Sequence, residues 1–200
     1  MDIKEQLDAI KDIRNMMNKS TRFLSLSGLS GVMAGVYALA ACGIAYNYLG
    51  DYKYLEYSDD DKLFFVATGL ITLILAIGTA YLFTRNNAKK DGVKMWDENV
   101  KLGLINLFIP LIAGGILCLA FIYHEAFPFL APCTLIFYGL ALVSASRYTY
   151  PVIRQLGIFE IILGLINAFF LGYGMIFWLL GFGVLHIVYG LVMQSKYRSA

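Results

Sequence analysis

Long uncharged stretches alternate with short charged ones along this chain. Six stretches are apolar and close to the roughly 20 residues that an α-helix needs to cross about 30 Å of hydrocarbon. We place these spans at 23–49, 63–84, 102–123, 128–147, 152–171 and 174–193. The pattern predicts an all-α integral membrane protein, a compact bundle in which short connections make consecutive helices antiparallel neighbours.

The segment before the first span has a different pattern. In residues 1–22, apolar side chains recur at helical spacing, at Ile3, Leu7, Ile10, Ile13 and Met17. This spacing is typical of an amphipathic helix that lies on a membrane surface. We therefore expect an interfacial helix at 1–22 and a six-helix membrane domain at 23–200. The helix either anchors the chain to lipid or docks a protein partner, and the sequence leaves both roles open.

The composition supports a membrane protein. Hydrophobic residues make up 59% of the chain and charged residues 15%, with a mean hydropathy of +0.66. A soluble domain is only about half apolar and about a quarter charged. Lys and Arg are crowded into the connections between spans, the ends of spans and the two ends of the chain, with long uncharged stretches between them. The expected partners are therefore membrane lipids, and nucleic acid is not among them.

The distribution of positive charge predicts the orientation. On the predicted topology, 14 of the 16 Lys and Arg residues lie on the side of the N terminus, and only Lys53 and Lys62 lie on the other. Connections rich in Lys and Arg stay in the cytoplasm. We expect a multi-pass protein of a bacterial cytoplasmic (inner) membrane, with both termini in the cytoplasm. On the opposite side, Asp59 to Asp61 are placed to cap the second helix.

The fifth and sixth spans each carry one ionisable residue near the middle. Glu160 and His186 both lie thirteen positions from Tyr173, in the tight turn that joins the two spans. In an antiparallel hairpin they should face each other near the midplane. Glu160 is the only acid within the predicted spans, and a carboxylate there costs at least about 2.5 kcal/mol. We expect it to be protonated, paired or hydrated.

Two amides extend this predicted polar site. Asn167 follows Glu160 on the same helical face, and Asn106 in the third span is placed to approach from another direction. One interpretation is a proton-linked or cation-linked binding site, for which His186 supplies a group that titrates near neutral pH. The other is a structural hydrogen bond that locks the hairpin. The sequence leaves both open.

Small residues and cysteines are more readily explained by packing. Ser27, Gly31 and Gly35 are spaced four apart, which predicts close helix contact. The three cysteines, each about five residues from the outer boundary of its span, are Cys42, Cys118 and Cys133. Three thiolates would suit Cu(I) or Zn, yet no C-x-x-C spacing is present and cysteine is a common core residue. We expect no metal and no cofactor.

One short motif resembles a catalytic one. Gly28-Leu29-Ser30-Gly31 has the G-x-S-G form of the nucleophile motif in rhomboid intramembrane proteases, and His186 lies in the sixth span, as the His of that family does. The resemblance implies a serine nucleophile at Ser30. It covers these residues only, because Ser30 is in the first span instead of the fourth. The His and Asn that the family has in its second helix are missing.

Three functional classes follow, in order of preference. The first is a small carrier, permease-like or solute-sensing protein that acts on a small solute or a proton through Glu160 and His186. The alternative is a non-catalytic membrane scaffold or signalling subunit, which would use its N-terminal helix and its small-residue faces as contact surfaces. A second copy of the chain is among the candidate partners. An intramembrane enzyme is third. A carrier needs solvent to reach Glu160, whereas a scaffold can bury the pair dry.

Overall fold

The secondary structure is helical throughout the described part of the chain. The computed structural model describes residues 27–49, 58–90, 96 and 98–198, and these contain no β-strand. Six of the helices are long and apolar enough to cross a membrane, which confirms the predicted all-α fold with six spans. The interfacial helix predicted at 1–22 lies outside the described residues.

Five of the six helices are regular, and we number them in chain order. They are α1 (Gly28–Leu49), α2 (Asp59–Lys90), α3 (Glu98–Tyr123), α4 (Leu130–Ala145) and α5 (Pro151–Phe169). The sixth, α6 (174–198), is interrupted, because a π-helical segment at Leu179–Leu185 separates α-helical Gly174–Trp178 from α-helical His186–Arg198. Short 3₁₀ turns flank α4 and precede α6, at Phe127–Phe129, Ser146–Tyr148 and Leu171–Tyr173. The helix α2 is longer than predicted at both ends, because polar residues continue a helix beyond its apolar part.

Local hydrogen bonds cap the start of α2 and the end of α3. The backbone N–H of Ser58 donates to Asp61 Oδ2 at 3.0 Å, and Asp61 N–H donates to Ser58 Oγ at 3.2 Å. This reciprocal pair is a capping box. At the end of α3, Glu125 has a positive φ of 57°, and Ala126 N–H donates to the carbonyl of Phe121 at 2.8 Å. A left-handed residue here turns the chain sharply from α3 toward α4.

The helices pack in an order that differs from their order along the chain. The helix α1 packs against α2 and α6, α5 packs against α4 and α6, and α3 packs against α4. In their described parts, α2 and α3 lack the extensive packing that joins the other consecutive helices, so the prediction that consecutive helices are neighbours is wrong for this pair. Their apolar surfaces are largely exposed on the outside of the bundle, which suits contact with lipid.

Glycines bring α1 and α6 into close contact. A Cβ atom added at Gly31 would lie 3.4 Å from Gly190 Cα, and one added at Gly35 would lie 2.6 Å from the carbonyl oxygen of Gly183. The small-residue face of α1 is therefore a helix-packing face, as its spacing predicted. This contact holds α6 in place on the side away from α5.

Glycines also bring α4 and α5 into close contact. A Cβ atom added at Gly139 would lie 2.5 Å from the carbonyl oxygen of Gly157, and one added at Gly164 would lie 2.7 Å from Ile136 Cγ1. The backbones of the two helices are therefore almost in contact. Gly157 and Gly164 flank Glu160 on α5, so this packing also fixes the position of the carboxyl group against α4 and α6.

Candidate functional site

Glu160 and His186 meet inside the bundle. Glu160 lies at the midpoint of α5, and His186 is the first residue after the π-helical segment of α6. Glu160 Oε1 lies 3.4 Å from His186 Nδ1. The exposed fraction is 0% for Glu160 and 6% for His186. The hairpin geometry thus brings together, in the buried interior, the two ionisable residues that lie near the middle of the fifth and sixth spans.

The imidazole of His186 has a hydrogen-bond partner at each nitrogen. Nδ1 lies 3.0 Å from the carbonyl oxygen of Gly181, and Nε2 lies 2.8 Å from the hydroxyl of Tyr138. A carbonyl oxygen only accepts, so Nδ1 carries a hydrogen and donates it to Gly181. In a neutral ring, Nε2 then accepts the hydroxyl hydrogen of Tyr138. The ring orientation and tautomer are therefore set by α4 and by the backbone of α6.

Tyr138 is a member of the site that sequence reasoning missed. Its ring stacks on His186 with a centroid separation of 5.4 Å, and Phe182 lies 5.9 Å from the same imidazole. Residue 138 lies at the middle of the predicted span 128–147. Counting depth along the fourth span, as was done for the fifth and sixth, would have pointed to this hydroxyl. The contact itself depends on which helices are neighbours.

The Glu160 carboxyl occupies space that a side chain at position 181 would need. A Cβ atom added at Gly181 would lie 2.5 Å from Glu160 Oε2 and 2.5 Å from Leu135 Cδ2. Leu135 is fully buried. Gly181 lies in the π-helical segment, a distortion that often occurs at functional sites. The absence of a side chain in α6 therefore makes room for the acid.

Both carboxyl oxygens of Glu160 lack a hydrogen-bond partner. The hydrogen on His186 Nδ1 is directed to Gly181, so the 3.4 Å approach to Oε1 is not a hydrogen bond of good geometry. A buried polar group without a partner costs roughly 1–3 kcal/mol, and an ionised one costs more. A buried polar group without a partner calls for an explanation, and a functional role is one such explanation.

Asn167 is a second buried polar group on the same face of α5. Its Nδ2 donates to the carbonyl of Phe170 at 3.1 Å, while Oδ1 is buried without a partner. It lies about 10 Å along the helix from Glu160, at a rise of 1.5 Å per residue. Asn167 therefore lies between Glu160 and the end of α5, and it does not take part in the contact between Glu160 and His186.

Asn106 does not join the site. Its Nδ2 donates to the carbonyl of Leu102 in its own helix at 2.8 Å. The helix α3 packs against α4, and it has no extensive packing with α5 or α6 in their described parts. The approach from another direction that the sequence suggested is made by Tyr138 of α4 instead.

Ser30 is not arranged as a nucleophile. Its hydroxyl donates to the carbonyl of Ser27 at 2.6 Å, within the first turn of α1. Both nitrogens of His186 are engaged elsewhere, by Gly181 and Tyr138. A serine nucleophile needs a base within hydrogen-bond reach. The structure therefore gives Ser30 the role of a buried side chain bonded to its own backbone, beside the packing glycines.

The three cysteines lie on three different helices. Cys133 of α4 donates a weak hydrogen bond from Sγ to the carbonyl oxygen of Gly114 in α3 at 3.7 Å. Cys118 lies one turn further along α3, and Cys42 lies on α1. In the described part of the chain, no three His, Cys, Asp or Glu side chains gather in a way that would hold a metal ion. The structure thus does not bring the three thiols together.

Comparison of the chain with known protein families, with curated proteins and with solved structures finds no match. Function is therefore argued from the site itself. The site combines a carboxyl group with unused acceptor capacity, an imidazole of fixed orientation and a hydroxyl that both donates and accepts. Such a set has the groups needed to take up and release one proton at Glu160.

We expect Tyr138→Phe to destabilise the protein by roughly 1–3 kcal/mol, because it leaves His186 Nε2 buried without a partner. The aromatic stacking is retained, so the loss reports the hydroxyl alone. Tyr37→Phe is the matched control: Tyr37 bonds to Thr79 Oγ1 at 3.1 Å, but Thr79 keeps its bond to the carbonyl of Leu75. Thermal unfolding in detergent measures both. Equal effects would show that the Tyr138 hydroxyl does not support the imidazole.

Proposed function

We propose that this protein is a small carrier or solute-sensing protein of the membrane whose activity depends on protonation of Glu160. The observation that supports this proposal is a fully buried carboxyl group with no hydrogen-bond partner at either oxygen, next to His186. A purely structural acid would be expected to use its acceptors. An acid that exchanges a proton must keep one position open to it.

The surroundings of Glu160 favour a change of charge as the switching event. Tyr138 and Gly181 hold the imidazole with its Nδ1 hydrogen on the Gly181 carbonyl, so this donor lies beside the acid without being directed at it. Loss of the Glu160 proton would place a negative charge beside that donor and strengthen the 3.4 Å contact. The helix α6 carries both His186 and Gly181. The charge on Glu160 of α5 would therefore be coupled to the position of α6.

We further propose a cytoplasmic membrane location with both termini in the cytoplasm. The support is the 14 to 2 division of Lys and Arg on the predicted topology. Lipids are the immediate surroundings of the exposed apolar faces, and a small solute or proton is the proposed ligand. Binding of a protein partner through residues 1–22 is a separate proposal that rests on their apolar spacing.

The orientation predicts a labelling pattern. In a background without cysteines, single cysteines at Leu55 and Glu125 should react with an impermeant thiol reagent applied to whole cells. Single cysteines at Ile10, Gly92 and Arg198 should react only after the membrane is opened. Labelling from outside at position 92 would contradict the proposed orientation.

The second candidate function is a membrane scaffold or signalling subunit. It is favoured by the burial of Glu160, whose exposed fraction is 0%. A carrier must have a second conformation in which solvent or solute reaches this acid. The π-helical segment at Leu179–Leu185 is the irregular element at the site and the place where α6 would change.

Reaction with a lipid-soluble carbodiimide separates the two candidates. This reagent modifies protonated carboxylic acids in the apolar phase, and Glu160 is the acid within the spans. For a carrier or sensor, we expect modification of Glu160 in reconstituted vesicles that declines as pH rises. A dry structural pair would not react over the same pH range. Glu160→Gln is the control for modification at other acids.

Two further measurements test the function directly. Trp178 lies 4.8 Å from Phe182 by ring centroids, and Phe182 stacks on His186, so Trp178 fluorescence should report protonation of the site. A Trp96→Phe background leaves Trp178 as the sole tryptophan. Proton uptake into vesicles that contain a pH-sensitive dye is the second measurement. We expect Glu160→Gln to remain folded and to lose both pH responses. If Glu160→Gln kept both pH responses, the membrane scaffold or signalling subunit would become the favoured function.

A further inference from the structure

The buried residues of α5 differ on the two sides of Glu160. Toward the turn that joins α5 to α6, here called the turn side, they are Gly164 and Asn167. On the other side they are all apolar, namely Val152, Leu156 and Gly157. Asn167 has an exposed fraction of 0%, and its Oδ1 has no hydrogen-bond partner among the described residues. The turn side therefore holds a second buried acceptor that calls for an explanation.

The irregular part of α6 lies along this turn side. Glu160 lies thirteen positions before Tyr173 and Asn167 six positions before it, whereas the π-helical segment Leu179–Leu185 lies six to twelve positions after it. In an antiparallel hairpin, the π-helical segment therefore runs beside the stretch of α5 from Asn167 to Glu160. Such segments often occur at functional sites. The irregular part of α6 thus coincides with the interval between the two groups that lack partners.

Leu135 of α4 fills this interval. A Cβ atom added at Gly164 would lie 3.0 Å from Leu135 Cβ, and one added at Gly181 would lie 2.5 Å from Leu135 Cδ2. The fully buried Leu135 side chain therefore reaches from α5 to α6. The atom added at Gly181 would also lie 2.5 Å from Glu160 Oε2, so the methyl group and the carboxyl oxygen are within twice that distance of each other. Because Gly164 lies between Glu160 and Asn167 on α5, the Leu135 hydrocarbon separates these two polar side chains.

We propose that water and the proton reach Glu160 from the turn side, past Asn167, and that the Leu135 side chain is the gate of this route. The inference rests on the proposed function and deepens it, because it names the path of the proton. About three hydrogen-bonded water molecules would bridge the roughly 10 Å between Asn167 and Glu160. Movement of Leu135 away from Gly181 would admit them, and its return would enclose Glu160 again.

The chain offers a matched position on the other side of Glu160. Leu142 lies two helical turns from Leu135 on α4 and is also buried. A Cβ atom added at Gly157 would lie 2.9 Å from Leu142 Cβ. Water enters a cavity only where polar groups can bond to it. Space opened at Leu135 would lie between Glu160 and Asn167, whereas space opened at Leu142 would lie beside Gly157, on the apolar side of Glu160.

The test measures how fast water reaches Glu160 in the full chain in lipid nanodiscs. Transfer into deuterated water shifts the carbonyl stretching band of a protonated carboxyl group, and infrared spectroscopy at low pH follows this shift over time. Glu160→Gln identifies the band that belongs to Glu160. We expect Leu135→Ala to accelerate the exchange at least about tenfold, and Leu142→Ala to leave it within about twofold of the unmodified protein.

Further variants test the route itself. Asn167→Leu, introduced into the Leu135→Ala protein, should remove most of the gain because it takes away the acceptor on the route. If the Ala variants do not fold, Leu135→Val and Leu142→Val should show the same order with a smaller difference. Equal exchange in the Leu135 and Leu142 variants, or faster exchange in the Leu142 variant, would overturn the route.

Trp178 fluorescence separates this result from the proposed function. A pH response of Trp178 together with equal exchange in the Leu135 and Leu142 variants would overturn the route and leave the proposed function standing. Fast exchange in Leu135→Ala, without a pH response of Trp178 in the unmodified protein, would overturn the proposed function and uphold the path of water to Glu160.

Discussion

Gly139→Ala will destabilise the bundle by at least about 1–3 kcal/mol, the usual cost of inserting a methyl group into a closely packed core. The added Cβ would lie 2.5 Å from the carbonyl oxygen of Gly157 and 2.7 Å from Ile161 Cγ1. The first of these neighbours is backbone and cannot move away by rotation of a side chain. The helices α4 and α5 must therefore separate, and the contact between Tyr138 and His186 should be lost with them.

Gly43→Ala is the matched control for this result. Gly43 also lies within a long helix, but a Cβ atom added there would meet no atom within 4 Å. We expect no loss of stability, and a gain of up to about 1 kcal/mol if the higher helix propensity of Ala is expressed. Thermal unfolding in the same detergent measures both variants. Equal stability of the two would contradict the described packing of α4 on α5.

Glu160→Ala and His186→Ala should each lower stability, and by different amounts. Removal of His186 takes a hydrogen bond from two groups, the Tyr138 hydroxyl and the Gly181 carbonyl, and also removes the imidazole beside the Glu160 carboxyl. Each buried polar group left without a partner costs roughly 1–3 kcal/mol. Removal of Glu160 takes away a carboxyl whose oxygens already lack partners. We therefore expect the larger loss for His186→Ala.

The double variant measures how far the two side chains interact. Residues in contact show coupling energies of roughly 0.5–3 kcal/mol, so the double variant should be less destabilised than the sum of the single ones. Thermal unfolding of the four proteins in one detergent completes the cycle. Additive effects would show that the 3.4 Å approach carries no interaction. If Glu160→Ala lowered stability more than His186→Ala does, the Glu160 carboxyl would have to make hydrogen bonds that its surroundings do not indicate.

The sequence predicted part of the site because helical hairpins have a simple geometry. Glu160 and His186 were placed opposite each other by counting from the turn at Tyr173, and the structure has them 3.4 Å apart. Asn106 shows where counting fails. Depth along a span predicts the level of a residue, but the direction of its side chain depends on the neighbours of the helix. The helix α3 lies beside α4 and away from α5 and α6.

By itself the sequence determined the class of protein and its six helices, because a bilayer tolerates only segments that satisfy their own backbone hydrogen bonds and bury apolar side chains in lipid. It also determined which helices carry rare ionisable groups. The tertiary structure decided which helices are neighbours, and that Tyr138 and Gly181 complete the site. Lipid is as apolar as the helix surfaces, so hydrophobicity cannot select between partners. That choice is made by glycine contacts and polar bonds, which depend on shape in three dimensions.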